Sequence, residues 1–175
     1  MPLAIHLMEE IRLPIRILVI EDNPANMELM TYLLRAYGYA LLTAEDGESG
    51  LESAARDGPD LIICDVHLPR LDGYAVVRIL KRHPVLRKIP AIAVTALAMV
   101  GDREKLLDAG FDGYISKPID PETFIGEIAK FHPAGAQEDA ARFLPRTVEP
   151  VANANRPDAS SGQDNRSKDG DHTDR

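Results

Sequence analysis

Three carboxylates, a hydroxyl and an ammonium stand at the ends of short apolar runs: Glu21 with Asp22, then Asp65, Thr95 and Lys117. Asp65 closes Leu61-Ile62-Ile63-Cys64 and opens the loop Val66-His67-Leu68-Pro69. Such a set suits a divalent cation, a carboxylate nucleophile and a phosphoryl group. Mg²⁺ prefers hard oxygen ligands and keeps part of its water shell, so one or two carboxylates beside a phosphoryl oxygen are enough to hold it. Asp22 and Asp65 are the expected direct metal ligands, with Glu21 acting mainly through water. The main-chain carbonyl of His67 is the simplest third protein ligand. Carboxylates do accept phosphoryl groups as aspartyl phosphates, and Asp65 is placed to be that nucleophile. Lys117 would hold one phosphoryl oxygen as a point charge, and Thr95 would donate a hydrogen bond to another. Gathered carboxylates also repel one another and titrate together, a tension that a cation relieves.

The elements that must position these groups follow from hydrophobic pattern. Arg16 to Ile20, Tyr39 to Thr43, Leu61 to Cys64, Ala91 to Val94 and Tyr114 to Ser116 read as short strands bounded by loop formers. Between them lie helical stripes. Asn23-Pro24 starts the first, which carries Leu29, Met30, Leu33, Leu34 and Tyr37 and stops at Gly38. Asp46 to Arg56, Tyr74 to Arg82 (with Val76, Val77, Ile79 and Leu80) and about Gly101 to Ala109 are the next three. Asp120-Pro121-Glu122 starts the last, whose apolar positions run to Phe131.

Five strands alternating with five helices predict an α/β fold with one doubly wound parallel sheet. Right-handed crossovers leave the flavodoxin-like (βα)5 order 2-1-3-4-5 as the leading topology. Strand carboxyl ends then gather at one edge, where ligands bind in open parallel sheets. The expected division is an N-terminal extension 1–14, one domain 15–132 and a disordered tail 133–175. Residues 145–175 contain no Leu, Ile, Met, Phe, Tyr or Trp, too little apolar surface to offset ordering. A short helix around 138–144 is the only pattern in the tail. Met8 is an alternative start to Met1.

Charge and composition exclude other classes. Net charge is −8, with 14 basic and 20 acidic residues in 1–132 and 6 and 8 in 133–175, so neither part carries a nucleic-acid footprint. No run approaches the roughly 18 apolar residues of a membrane span, and the amino end lacks a signal-peptide pattern. The single cysteine, Cys64, forms no internal disulfide and reads as a small core residue. A cytoplasmic protein is expected.

Five ordered segments carry a resemblance: Ile20-Glu21-Asp22-Asn23-Pro24, Cys64-Asp65-Val66-His67-Leu68-Pro69, Leu71-Asp72-Gly73, Val94-Thr95-Ala96 and Ser116-Lys117-Pro118. Together with gaps of 43, 30 and 22 residues between Asp22, Asp65, Thr95 and Lys117, they resemble the receiver domains of two-component response regulators over about Ile15 to Phe131. Small stand-alone, DivK-like members are the most similar, though receivers fused to hybrid kinases share the same stretches. The resemblance implies that Asp65 accepts a phosphoryl group from a histidine kinase or histidine phosphotransfer protein, with Mg²⁺ required. It implies that Thr95 and Tyr114 move on phosphorylation and that Lys117-Pro118 is a cis peptide. Output would pass to an unknown downstream protein by binding, from a monomer or a weak phosphorylation-linked dimer.

Plainer readings stand beside these. Asp22 or Asp65 alone would read as an exposed loop acid. Tyr114 would serve as an ordinary core aromatic, the His67 side chain as a loop residue, and Met27, off the helix stripe, as exposed apolar surface or part of a partner patch. Two rival functions share the fold or the chemistry. An Mg²⁺-dependent phosphohydrolase passing through an aspartyl phosphate wants a second acid two residues after the nucleophile, where this chain has His67. A flavodoxin-type carrier wants a Ser/Thr/Gly-rich phosphate loop where Glu21-Asp22-Asn23-Pro24 stands.

Overall fold

A computed structural model describes residues 14–96 and 102–132. In chain order the elements are β1 (Arg16–Ile20), α1 (Pro24–Ala36), β2 (Ala40–Ala44), α2 (Gly47–Asp57), β3 (Leu61–Asp65) and α3 (Gly73–Arg82). A 3₁₀ turn at Leu86–Lys88, β4 (Ala91–Thr95), α4 (Asp102–Ala109), β5 (Gly113–Ser116) and α5 (Pro121–Ala129) complete them. All strand pairs are parallel and the sheet order is β2-β1-β3-β4-β5, the expected topology.

The period of two along each strand divides the core. Leu18, Ile20, Ile62, Cys64, Ala91 and Ala93 face one way, against Ala54 of α2, Val76, Val77 and Leu80 of α3, and Leu106 of α4. Ile17, Val19, Leu61, Ile63, Ile92 and Val94 face the other way, against Met30, Leu33 and Leu34 of α1 and Phe124, Ile125 and Ile128 of α5. Because both faces are covered, β3 and β4 are buried at every position, and their sequences read as continuous apolar runs.

Register then lines up the strand ends. Ile20 pairs with both Ala44 and Cys64, so Glu21 follows beside Asp65. Asp65 pairs with Val94, and Thr95 with Ser116, so Thr95 and Lys117 come next across the edge. Each helix that starts near this edge with an acid or amide is capped by it: Asn23 accepts from Ala25 and Asn26, Asp46 from Ser49, Asp72 from Ala75 and Asp120 from Glu122.

Several sequence expectations are corrected. Ile79 is 46% exposed although the helix stripe includes it, since only Val76, Val77 and Leu80 of α3 turn fully inward. Met27 is half-buried and packs against the α1–α5 side of the core, so it is not simply exposed surface. Strand β2 is shifted one residue along, a 3₁₀ turn stands between α3 and β4, and α5 ends at Ala129. Beyond it, His132 is buried, and its Nε2 lies 2.9 Å from the Tyr39 hydroxyl, with the rings edge to face at 5.5 Å. Cys64 is buried as expected, and burial first, then the nearby carboxylates, pushes its thiol pKa up. The extension up to residue 13, the tail 133–175 with its short helix, and the start of the fourth helix at Gly101 lie outside the described residues. No helix among the described residues is long and apolar enough to cross a membrane.

Candidate functional site

Lys117 arrives at the strand edge from the end of β5, fixed by its backbone N–H on the Thr95 carbonyl at 2.8 Å and followed by a cis bond to Pro118. Its ammonium donates to Asp65 Oδ2 at 2.6 Å, Glu21 Oε2 at 2.9 Å and Glu21 Oε1 at 3.2 Å. One cation thus bridges two carboxylates. Burial alone would lower the lysine pKa and is the largest single influence, but the hydrogen bonds and charges of Asp65 and Glu21 together outweigh it and leave it raised.

Asp65 is engaged at both oxygens, since Oδ1 accepts from the His67 backbone N–H at 3.0 Å. The loop that supplies this donor turns tightly back under β3. Gly73 opens α3 with its N–H on the Val66 carbonyl, and a Cβ there would lie 2.4 Å from the Asp65 carbonyl oxygen. Only glycine allows that approach. The Leu71-Asp72-Gly73 segment is therefore part of the acceptor's scaffold. In the same loop Arg70 holds a left-handed backbone, φ 64°, and its guanidinium pairs with Asp46 at the start of α2.

Glu21 is wholly buried, Asp65 nearly so, and Asp22 beside them is exposed. One carboxylate oxygen from each of the three lies within 4.8 Å of the others. The donors are all hard oxygen, with one of them open to solvent, which is the chemistry Mg²⁺ takes. The one soft donor nearby, the buried Cys64 thiol, donates instead to the Asp65 carbonyl at 3.2 Å. The residues present fit that ion.

Of the residues singled out from sequence, the fold brings Glu21, Asp22, Asp65 and Lys117 into one cluster and sets the fully buried Thr95 on the adjoining strand end. The side chain of His67 is exposed and only its backbone N–H turns toward Asp65. Tyr114, opposite Ala93 and two pairs before the edge pair of Thr95 and Ser116, is 40% exposed, so in this state it is not a core aromatic. One contact went unread in the sequence: the Asn26 side chain donates to Glu21 Oε1 at 3.0 Å. Its signal, an amide in the first helical turn five residues beyond Glu21, is too common to be noticed without the geometry.

Residues 17–129 match the response regulator receiver domain family. This chain belongs to that family. The receiver is 41% identical over 119 residues to the polar-differentiation response regulator DivK of Brucella anthropi, covering 68% of this chain and 97% of that one. DivK of Brucella ovis is 42% identical over 115 residues, 66% of this chain and 94% of the relative. Among solved structures, the receiver domain of sensor histidine kinase PA1611 from Pseudomonas aeruginosa PAO1 superposes with a TM-score of 0.63 at 36% identity, covering 68% of this chain and 98% of that one. That structure has a magnesium ion coordinated in its active site cleft. The receiver domain of a signal transduction histidine kinase from Syntrophus aciditrophicus superposes at 0.60 with 31% identity, covering 79% and 98%.

Receivers are phosphorylation-dependent signalling switches, and so is this chain; the phosphohydrolase alternative is not favoured. Members of the family bind Mg²⁺ at an acidic site and work with histidine kinases and downstream proteins.

Proposed function

We propose that this receiver takes a phosphoryl group onto Asp65 from a phosphohistidine, carried by a histidine kinase or a histidine phosphotransfer protein, and signals by binding a further protein. The observation that carries the assignment is the bridge from Lys117 to Asp65 and Glu21 at a buried sheet edge. A carboxylate oxygen of Asp65 attacks phosphorus while the phosphorus–nitrogen bond to the donor histidine breaks. The imidazole leaves with the bonding pair and takes up a proton, and an acyl phosphate remains. As phosphate arrives, Lys117 exchanges its contact with Asp65 Oδ2 for a phosphoryl oxygen and keeps its grip on Glu21. Thr95, at the end of β4, donates its hydroxyl to a second phosphoryl oxygen. The His67 N–H holds Asp65 by Oδ1 and limits its rotation. Glu21, Asp22, Asp65 and the His67 carbonyl would hold Mg²⁺, which when bound neutralises charge between the carboxylates and the phosphoryl group.

In this reading, catalysis stays confined to the receiver's own phosphoryl transfer and slow hydrolysis of the product, and the output is a shifted conformational population. Residues 15–132 make the switching domain, 133–175 serve as a dispensable tail, and the protein acts in the cytoplasm. Acetyl phosphate with Mg²⁺ should add one phosphoryl group to the wild-type chain, detected by intact mass. Asp65→Asn should abolish the addition, since an amide is no nucleophile here. Undiminished labelling of Asp65→Asn would overturn the assignment.

A further inference from the structure

Glu21 is held from two sides. Lys117 takes both of its oxygens, at 2.9 and 3.2 Å, and the start of α1 takes Oε1 through two N–H donors. Those donors are the Asn23 backbone at 3.3 Å and the Asn26 side chain at 3.0 Å. Asn26 is itself anchored, its backbone N–H donating to the Asn23 side chain at 3.2 Å. Glutamate carries one methylene more than aspartate and so one more torsion to be held before its carboxylate has a defined direction. A wholly buried carboxylate with several donors is satisfied, but satisfaction alone does not require a donor fixed on the first turn of a helix.

We propose that Asn26 is a positioning residue for the cation site: its amide fixes the direction of the Glu21 carboxylate, and through it the affinity of the site for Mg²⁺. The inference rests on the reading of Glu21, Asp22 and Asp65 as the metal-holding set. Hydrogen-bond partners behind metal-binding groups typically alter affinity by about 10–100-fold when removed. Glu21 keeps Lys117 and the Asn23 N–H after loss of Asn26, which places the expected effect at the low end, ~10-fold.

The test titrates the unphosphorylated full chain with Mg²⁺, followed by calorimetry and by amide chemical shifts, with a thermal melt on each variant. Asn26→Ala, and Asn26→Leu as a near-isosteric variant without the donor, should both bind Mg²⁺ ~10-fold more weakly than wild type. In a Glu21→Asp background the shorter arm withdraws from Asn26, so Asn26→Ala should then change affinity by less than about twofold, a non-additivity that a cycle isolates. Wild-type affinity in both Asn26 variants, with only the melting temperature lowered, would show a structural role and overturn the proposal while leaving the site reading intact. An undiminished Asn26→Ala effect in the Glu21→Asp background would overturn it equally. Absence of saturable Mg²⁺ binding by the wild-type chain would remove the site reading itself.

Discussion

Lys117 and Asp65 meet at 2.6 Å across 52 residues of sequence, the shortest polar contact the ammonium makes in the cluster. The same ammonium also satisfies the buried Glu21, so its removal strands two carboxylates at once. Lys117→Ala should lower stability by about 3 kcal/mol, the scale for deleting one partner of a buried ion pair. Added Mg²⁺ should recover part of that loss by supplying the missing charge. Denaturant midpoints of wild type and variant, with and without the ion, read both effects; equal midpoints without metal would mean the cluster is far better solvated than its burial indicates.

Thr95 is fully buried at the end of β4, while Tyr114 on the neighbouring strand stands 40% exposed. If the Thr95 hydroxyl turns to an acyl phosphate, space opens against β5 and the tyrosine ring has apolar area to gain by moving inward. Thr95→Ala should leave Asp65 phosphorylatable, at lower efficiency, but uncouple Tyr114. Amide shifts of residues 102–120 with and without beryllofluoride give the readout. A full wild-type response in Thr95→Ala would assign the relay to another element.

The edge-to-face pair of Tyr39 and His132 ties the residue just before β2 to the third residue beyond α5. Truncation after His132 should leave the thermal transition nearly unchanged, whereas truncation after Phe131 should cost about 1–2 kcal/mol through the lost hydrogen bond and ring contact. The sequence alone places Phe131 as the last core position, so the comparison of these two truncations tests the structure directly.

Burial pushes the Tyr39 pKa up to about 12, which gives its contribution a sign in pH. The folded state favours the neutral phenol, so this stability is complete below the ordinary tyrosine value near 10 and is lost as pH rises through about 12. Tyr39→Phe should cost about 1 kcal/mol at neutral pH for the missing hydrogen bond. That deficit should shrink, and then reverse, between pH 10 and about 12. Urea unfolding of both proteins across that window measures it, and a constant deficit would contradict the burial of the hydroxyl.

Arg70 carries a side chain in the left-handed region, φ 64°, where glycine sits without penalty. Its ion pair with Asp46 is exposed on the arginine side and contributes little, at most about 1 kcal/mol. Arg70→Gly and Arg70→Ala both lose the pair, but only the alanine retains the strained backbone. The glycine variant should therefore be the more stable of the two by about 1 kcal/mol. Equal stabilities would mean the loop relaxes its backbone once the arginine is gone.

Strand order and the clustering of Glu21, Asp22, Asp65, Thr95 and Lys117 at one edge were legible in the sequence for a physical reason. A parallel sheet covered on both faces needs continuous apolar runs, as in Leu61-Ile62-Ile63-Cys64, and it must change to polar residues where each strand leaves the core. Chemistry placed at that change is therefore written in one dimension. Contacts made by elements approaching from elsewhere in the chain are not. Nothing local distinguishes Asn26 from any amide in a first turn; Glu21 becomes its partner only through the angle at which α1 leaves β1. His132 reads only as the last residue of the domain until α5 carries it to Tyr39, and Ile79 fits the helical period but lies at the margin of α3's buried stripe. Periodicity specifies which residues can face a core, whereas the angle and depth at which two elements meet arise from packing among many side chains at once, and only the folded chain decides them.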